Sequence, residues 1–344
     1  MSIKKIVITG GRGFIGTNLI KYLLSKNFEI HNFDKISYCS IPDAFTNFPK
    51  NRYFFYKINL LNKNTIEKTL LKIRPQIIIN LAADSHVDKS IESPSNFFTN
   101  NVSSCLSLLE SIRKNKKKLK LKRIIHISTD EVFGGDNKVP SKEDDKYETN
   151  SPYSASKASC DNLCRAFFKT YKIPIVILHC CNNYGPFQFT EKFIPTIISK
   201  YINNETIPLY GSGKNIREWI YVEDFCSAIF KIIKKSETGE KYNVGSGERL
   251  SNVKIIKIIL KILSKHFNKK NSQILIKKVK DRPGHDFKYQ INSNKIRKKL
   301  LWKNKYNLKI GLEKTVNWYL QNKKWLKHCN KIYRGDRQGL IKND

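Results

Sequence analysis

The chain has 344 residues, with 64 Lys and Arg against 29 Asp and Glu and a formal net charge of +35. That length allows one large domain or two modest ones. No apolar run approaches the roughly 20 residues that span a bilayer, and a strand pattern that starts at Lys4 leaves no place for a secretory leader, so a cytoplasmic protein is expected.

The basic residues are dispersed over the whole sequence, with local runs such as "RKNKKKLKLKR" between a helix pattern and a strand pattern. Dispersal of this kind argues against nucleic acid as the main partner, whereas a polyanionic small molecule would still be attracted. The eight cysteines show no CxxC pair and no zinc-like spacing, so they read as reduced, buried, small hydrophobes, and no metal site is expected.

In chain order, "KKIVIT" (4–9) is a strand, and "ITGGRGFIG" places Gly10, Gly13 and Gly16 between it and a helix over Phe14–Lys26. Glycines there let the backbone turn tightly and approach a pyrophosphate at a helix N-terminus, so Gly10, Gly13, Phe14, Ile15 and Gly16 form the candidate phosphate loop of a dinucleotide. The next strand (28–34) ends in Asp34, whose carboxylate suits an adenosine ribose. A 2′-phosphate about 4 Å away would meet repulsion on the order of 4 kcal/mol at an effective dielectric near 20, which favours NAD over NADP. Arg12 and Lys35, both next to this position, work against that preference.

Further strands at 52–58, 76–82, 123–129 and 173–180 alternate with helix patterns near 62–73, 93–115 and 151–172. The alternation predicts an α/β fold, a Rossmann-like doubly wound parallel sheet, over residues 1–181. Past Cys181 the pattern becomes irregular, with short strands near 207–210 and 216–221 and helices near 223–235 and 251–267. Residues 182–344 are therefore expected to form a smaller substrate-binding lobe, with some segments returning to the first domain and a ligand in the cleft.

Two stretches carry candidate chemistry. In "SPYSASK", Ser151 and Pro152 start a helix that puts Tyr153 and Lys157 on one face. Bringing a tyrosine pKa from about 10 to about 7 takes roughly 4 kcal/mol, within reach of one nearby ammonium. In "HISTDEVFGG", Asp130 and Glu131 follow Thr129 at the end of a strand, and neighbouring side chains can serve one site only where the strand has already ended. Gly134 and Gly135 agree with a loop at the carboxyl edge of the sheet.

With these residues in view, the sequence resembles the extended short-chain dehydrogenase/reductase superfamily and, within it, the dTDP-glucose 4,6-dehydratases. The likeness runs nearly end to end, through "GGRGFIG", "NLAADSHVDKSI", "STDEVFG", "YSASK", "NNYGP", "EKFIP", "GSGKNIREWIYVED", "RPGHDFKY" and "YRGDRQGL". It implies a lyase that oxidises the hexose C4 transiently with bound NAD, eliminates water across C5 and C6 and returns hydride to C6. Tyr153, with Lys157 and Thr129, would take the C4 hydroxyl proton, Glu131 the C5 proton, and protonated Asp130 would protonate the departing C6 hydroxyl. Paired acid and base groups require the two carboxyls to differ in protonation.

The resemblance further places Lys35, Asn59, Leu60, Ala82, Ala83 and Ser85 along the cofactor, together with Tyr153 and Lys157. Ser85, His86, Thr129, Asn182, Asn183, Lys192, Arg217, Arg282 and His285 would bind the nucleotide-sugar. It departs from the family at Asn59, where Asp is usual, at Asn100, where Thr is usual, at Phe133 for Tyr, and at Arg12 for a small residue. The family implies a homodimer packed through the helices near 93–115 and 151–172; Val102, Leu106, Leu109 and Ile112 fit such a face and fit an internal core equally. A nucleotide-sugar epimerase or decarboxylase, or a silent dinucleotide sensor, are the competing readings; an epimerase needs no acid for a C6 leaving group.

Overall fold

A computed structural model describes residues 4–267 and 276–333; of the motif "YRGDRQGL", positions 334–340 lie outside the described residues. Twelve strands are present among them: β1 Lys5–Thr9, β2 Glu29–Asp34, β3 Tyr53–Lys57, β4 Ile77–Asn80, β5 Arg123–Thr129, β6 Ile175–Cys180, β7 Asn182–Tyr184, β8 Ile207–Tyr210, β9 Ile216–Tyr221, β10 Lys241–Val244, β11 Arg249–Ser251 and β12 Ile276–Val279. Seven of them form one parallel sheet in the order β10-β6-β5-β4-β1-β2-β3. The chain winds outward in opposite directions from β1 and β4, so a crevice opens at the carboxyl ends of those two strands. The doubly wound α/β fold expected from the sequence is the fold observed.

Helices cover both faces of this sheet, which is why its strands are apolar on both sides. Along β4 the alternation is explicit. Ile77 and Ile79 join the cluster of Leu19, Leu23, Phe225 and Ile229, while Ile78 joins that of Leu70, Leu108, Cys164 and Phe167 on the other face. Side chains of this size contribute about 1.5–3 kcal/mol each on full burial, so the sheet is held from both sides by a continuous core.

A separate core, with Ile194, Trp219, Ile255, Leu312, Tyr319 and Trp325, belongs to the C-terminal half. Around it lie the three-stranded sheet β11-β9-β7 and the two-stranded β12-β8. The C-terminal half also supplies β10, which extends the large sheet beside β6, and the helix Val222–Lys235, which packs against the helix Phe14–Leu24.

The helix expected over 93–115 is not continuous. It divides into Pro94–Phe97, a π-helical stretch Phe98–Ser103 and Ser104–Lys114, preceded by a short helix Val87–Glu92 that the sequence pattern did not reveal. The wider turn lets Asn101 aim inward, where its amide joins Asp84 to the Ser156 hydroxyl of the catalytic-motif helix. Leu109 and Ile112 are core residues, while Leu106 remains 38 % exposed. The helices Asn294–Leu300, Leu308–Gln321 and Lys323–Ile332 were likewise not read from the sequence.

Candidate active site

At the end of β1, Gly10 has φ +68°, a conformation that costs little only for glycine. Gly16 is required for a different reason: a Cβ there would lie 2.4 Å from the Gly10 carbonyl oxygen and 2.6 Å from the Gly11 Cα. The first turn of the Phe14–Leu24 helix contains no acidic residue and takes no side-chain cap from Gly13. The amides at the start of the helix, including those of Phe14 and Ile15, thus form a bare positive end, suited to a pyrophosphate. Asp34 closes β2 with its carboxylate set by two main-chain N–H groups, from Arg12 (2.9 Å) and Ile36 (2.8 Å). Asn59 and Leu60 follow β3, and Ala82 and Ala83 follow β4, with the Ala82 amide bonded to Thr9 Oγ1. The residues expected along a dinucleotide therefore meet at one sheet edge, and the site fits NAD.

Thr129 ends β5, and the chain turns at once into a 3₁₀ turn, Asp130–Phe133, left through Gly134 at φ +77°. The strand has ended before the two carboxyls, as a shared site for neighbouring side chains requires. Thr129 Oγ1 caps this turn, accepting from the Glu131 amide at 3.3 Å and donating to Asp130 Oδ1 at 3.3 Å. One oxygen of each acid, Asp130 Oδ2 and Glu131 Oε2, is buried without a partner.

The two acids sit in unlike electrostatic surroundings. Burial, then the carboxylates of Glu131 and Glu218, push Asp130 well above the usual carboxylate range, with Arg217 opposing. Burial also raises Glu131, but Arg282, Arg217 and Lys192 all draw it back toward ionisation. A proton shared between them is thus favoured on Asp130.

Tyr153 and Lys157 stand on the helix Pro152–Tyr171, which starts from a Ser151 capping box with Ser154 and with proline in the first turn. Both side chains are buried. Lys157 Nζ donates to the Ile127 carbonyl at 2.7 Å, and the phenol is pushed well above its ordinary value by burial and then by Glu131 and Cys180, against a bond from Thr129. In the chain alone the phenol is thus raised, where a lowered tyrosine was expected.

The residues assigned to the nucleotide-sugar meet above this edge. Lys192 Nζ reaches the Ser85 carbonyl at 2.7 Å and its hydroxyl at 3.4 Å. His86 caps the helix Val87–Glu92 and is lowered to about 4 by burial and the Lys192 ammonium. On the other side, Arg217 spends its guanidinium on the carbonyls of Ile216, Asp286 and Phe287 and stacks 4.3 Å over Tyr289. Arg282 pairs with Asp88 at 3.0 Å, and His285 bonds Asp281 at 2.6 Å, itself lowered to about 4 by burial and by Arg282 and Arg217. Asn182 and Asn183 lie on β7; Asn183 donates to the Cys181 carbonyl while its own Oδ1 is buried without a partner.

Asp88, Glu191 and Glu218 were missed in the sequence. Glu191 accepts from Tyr38 (2.6 Å) and pairs with Lys89 (3.2 Å), and Glu218, fully buried, accepts from Gly247, Arg249 and Ile291. A charged residue within the apolar alternation of β9 was the one available signal for Glu218. One further grouping was invisible to spacing. Potential ligand atoms of Cys105, His126 and Cys160 approach within 4.8 Å of one another. Both thiols are raised and so stay protonated, Cys160 donating to the Asn101 carbonyl.

A family model described as GDP-mannose 4,6 dehydratase matches residues 7–315. Among curated proteins, a probable dTDP-glucose 4,6-dehydratase of Sinorhizobium fredii is 39 % identical, covering 98 % of this chain and 99 % of its own. The dTDP-glucose 4,6-dehydratase of Escherichia coli is 38 % identical with the same coverage. The chain belongs to the dTDP-glucose 4,6-dehydratase family. Solved structures of the family agree in fold. DesIV, the dTDP-glucose 4,6-dehydratase of Streptomyces venezuelae, solved with NAD and TYD bound, superposes with a TM-score of 0.85 at 34 % identity, covering 93 % of this chain and 98 % of that one. The Bacillus anthracis family member, in complex with NAD, gives 0.84 at 35 % identity, covering 95 % and 99 %.

Proposed function

We propose that the chain is an NAD-dependent dTDP-glucose 4,6-dehydratase, a hydro-lyase of deoxysugar synthesis. The observation that carries this reading is the pair Asp130 and Glu131, turned out of the sheet just past β5, with the first among carboxylates and the second facing three cations. That asymmetry equips one group to give a proton and its neighbour to take one.

When bound, NAD supplies a reversible hydride store for C4 and then C6. The chain's own residues move the protons. Tyr153, on the helix that follows Thr129, takes the C4 hydroxyl proton; the positive charge of bound oxidised NAD would oppose the burial that keeps the phenol protonated. The C4 ketone acidifies the C5 hydrogen, which Glu131 removes while Asp130 protonates the C6 hydroxyl, so that water leaves. Lys192, Arg217 and Arg282 serve the pyrophosphate of the substrate through charge-assisted bonds, the guanidinium being suited to bidentate contacts. Asn183, with its unpartnered Oδ1, is placed to accept from the nucleoside.

Residues 1–181 then form the NAD-binding domain and the remainder mainly the substrate lobe. The working form is a homodimer through the helical faces near 93–115 and 151–172, and the location is the cytoplasm. Among the described residues, no helix is long and apolar enough to cross a membrane.

The test is to incubate the purified protein with dTDP-glucose in D₂O. The expected result is a 4-keto-6-deoxy product, detected by its alkali-induced absorbance, with deuterium at C5. Oxidation at C4 without loss of water overturns the dehydratase reading and leaves an epimerase-like chemistry.

A further inference from the structure

Two cations adjoin Asp34, Arg12 through a main-chain hydrogen bond and Lys35 in sequence, and the side chain of each is held by a partner from elsewhere in the chain. Arg12 lies in the glycine loop, and its backbone N–H fixes the Asp34 carboxylate at 2.9 Å. Its side chain runs the other way: Nη2 lies 2.6 Å from both carboxylate oxygens of Asp43, and the guanidinium stacks 3.8 Å over the ring of Phe55. The Arg12 side chain is only 12 % exposed, and its Nε is buried without a hydrogen-bond partner. Lys35, next to Asp34 in sequence, donates to Asn100 Oδ1 at 3.0 Å, and Asn100 is in turn anchored on Asp84 at 2.6 Å.

We propose that Asp43 is a specificity-determining residue, which excludes a 2′-phosphorylated dinucleotide by sequestering Arg12 on Phe55. This rests on the reading of the glycine loop as an NAD site. The physics is an imbalance of charges at the adenosine ribose. Asp34 alone repels a 2′-phosphate, but an arginine swung to the same place would neutralise the repulsion and add charge-assisted bonds to the phosphate. The main chain of Arg12 itself touches the Asp34 carboxylate, so its side chain is attached beside the position an adenosine ribose on Asp34 would take. What keeps the guanidinium elsewhere is the pair with Asp43 and the aromatic stack, and the preference for NAD is thereby a property of two acids, one facing the ribose and one holding the cation away.

Asp43 is 69 % exposed at its side chain and is removable without disturbing the core. The experiment measures direct binding by calorimetry of NAD⁺, NADP⁺, 5′-ADP and 2′,5′-ADP to the wild type, Asp43→Ala, Arg12→Ala and the double variant, with thermal midpoints as the control for folding. The expected result is that Asp43→Ala tightens NADP⁺ and 2′,5′-ADP about fivefold, the scale of one exposed ion pair redirected to a phosphate. NAD⁺ and 5′-ADP change less than about twofold, because no charge at the 2′ position is involved.

In the double variant the gain for the phosphorylated ligands disappears. The proposal is overturned if Asp43→Ala leaves NADP⁺ binding unchanged, if all four ligands gain alike, or if the gain survives in the double variant, which would make it simple removal of a negative charge. A marked loss of NADP⁺ binding in Arg12→Ala alone also overturns it, since Arg12 would then already serve the phosphate. A wild-type chain that binds neither dinucleotide removes the NAD reading itself, a result separate from any of these.

Discussion

The nucleotide edge and the acid pair are neighbours on one sheet but are built from opposite materials. At the nucleotide edge the working groups are main-chain amides, and side chains are conspicuous by omission: Gly10 and Gly16 leave room, and the helix start carries neither cap nor acid. Around Asp130 and Glu131 the working groups are charged side chains drawn from Lys192, Arg217, Glu218 and Arg282, far apart in sequence. The difference teaches that the first region responds to volume and the second to charge.

The largest effect expected is on charge at the acid pair. Glu131→Gln keeps the shape and removes the base, and should slow product formation and C5 deuterium exchange by about 10²–10⁴-fold, with substrate binding nearly unchanged. Equal losses in exchange rate and in affinity would remove the contrast between the regions.

The next effect belongs to His126, on β5 beneath the acids. It is 2 % exposed, bonded to Asn80, and lowered to about 4 by burial and the Lys157 charge. The unfolded chain takes up this proton near pH 6.5 and the folded chain only near 4, so this contribution is complete above about 6.5 and is lost as pH falls from there to about 4. The shift corresponds to about 3 kcal/mol. Urea unfolding across that range should show the decline, and His126→Gln should make it shallower, with His86 and His285 keeping their own share.

Volume at the nucleotide edge comes third. Gly16→Ala places a Cβ against main-chain atoms at 2.4 Å, and a cost of about 1–3 kcal/mol is expected, read as a lowered thermal midpoint and weaker NAD⁺ binding. Glu131→Gln should leave NAD⁺ binding intact, so the two variants separate the regions.

The smallest effect is expected at Lys63→Ala, which removes an exposed pair with Glu110 (2.7 Å). Its thermal midpoint should stay close to that of the wild type. A marked drop would mean that surface charge, abundant in a chain of +35, stabilises the fold more than its exposure suggests.

How much was legible follows the same division. The loop of Gly10, Gly13 and Gly16, the strand end at Asp34, and the helix start at Ser151 and Pro152 are local patterns, and each appears where its residues place it. The interruption at Phe98–Ser103 was not legible, because a π turn keeps the apolar spacing of a helix while shifting its register. Nor were the partners of the cations: Arg282 on Asp88, Lys192 on Ser85, and Lys157 on the Ile127 carbonyl.

The amino-acid sequence by itself determined the parallel sheet, the nucleotide loop and the identity of the acid pair, because periodicity, glycine freedom and turn chemistry act between residues a few positions apart. Only the tertiary structure decided that Asp130 stands among carboxylates and Glu131 among cations, and that Tyr153 keeps its proton in the chain alone. Those properties depend on burial and on charges a few ångströms away in space but up to about 150 positions away along the chain, and electrostatic energy follows the first of these distances.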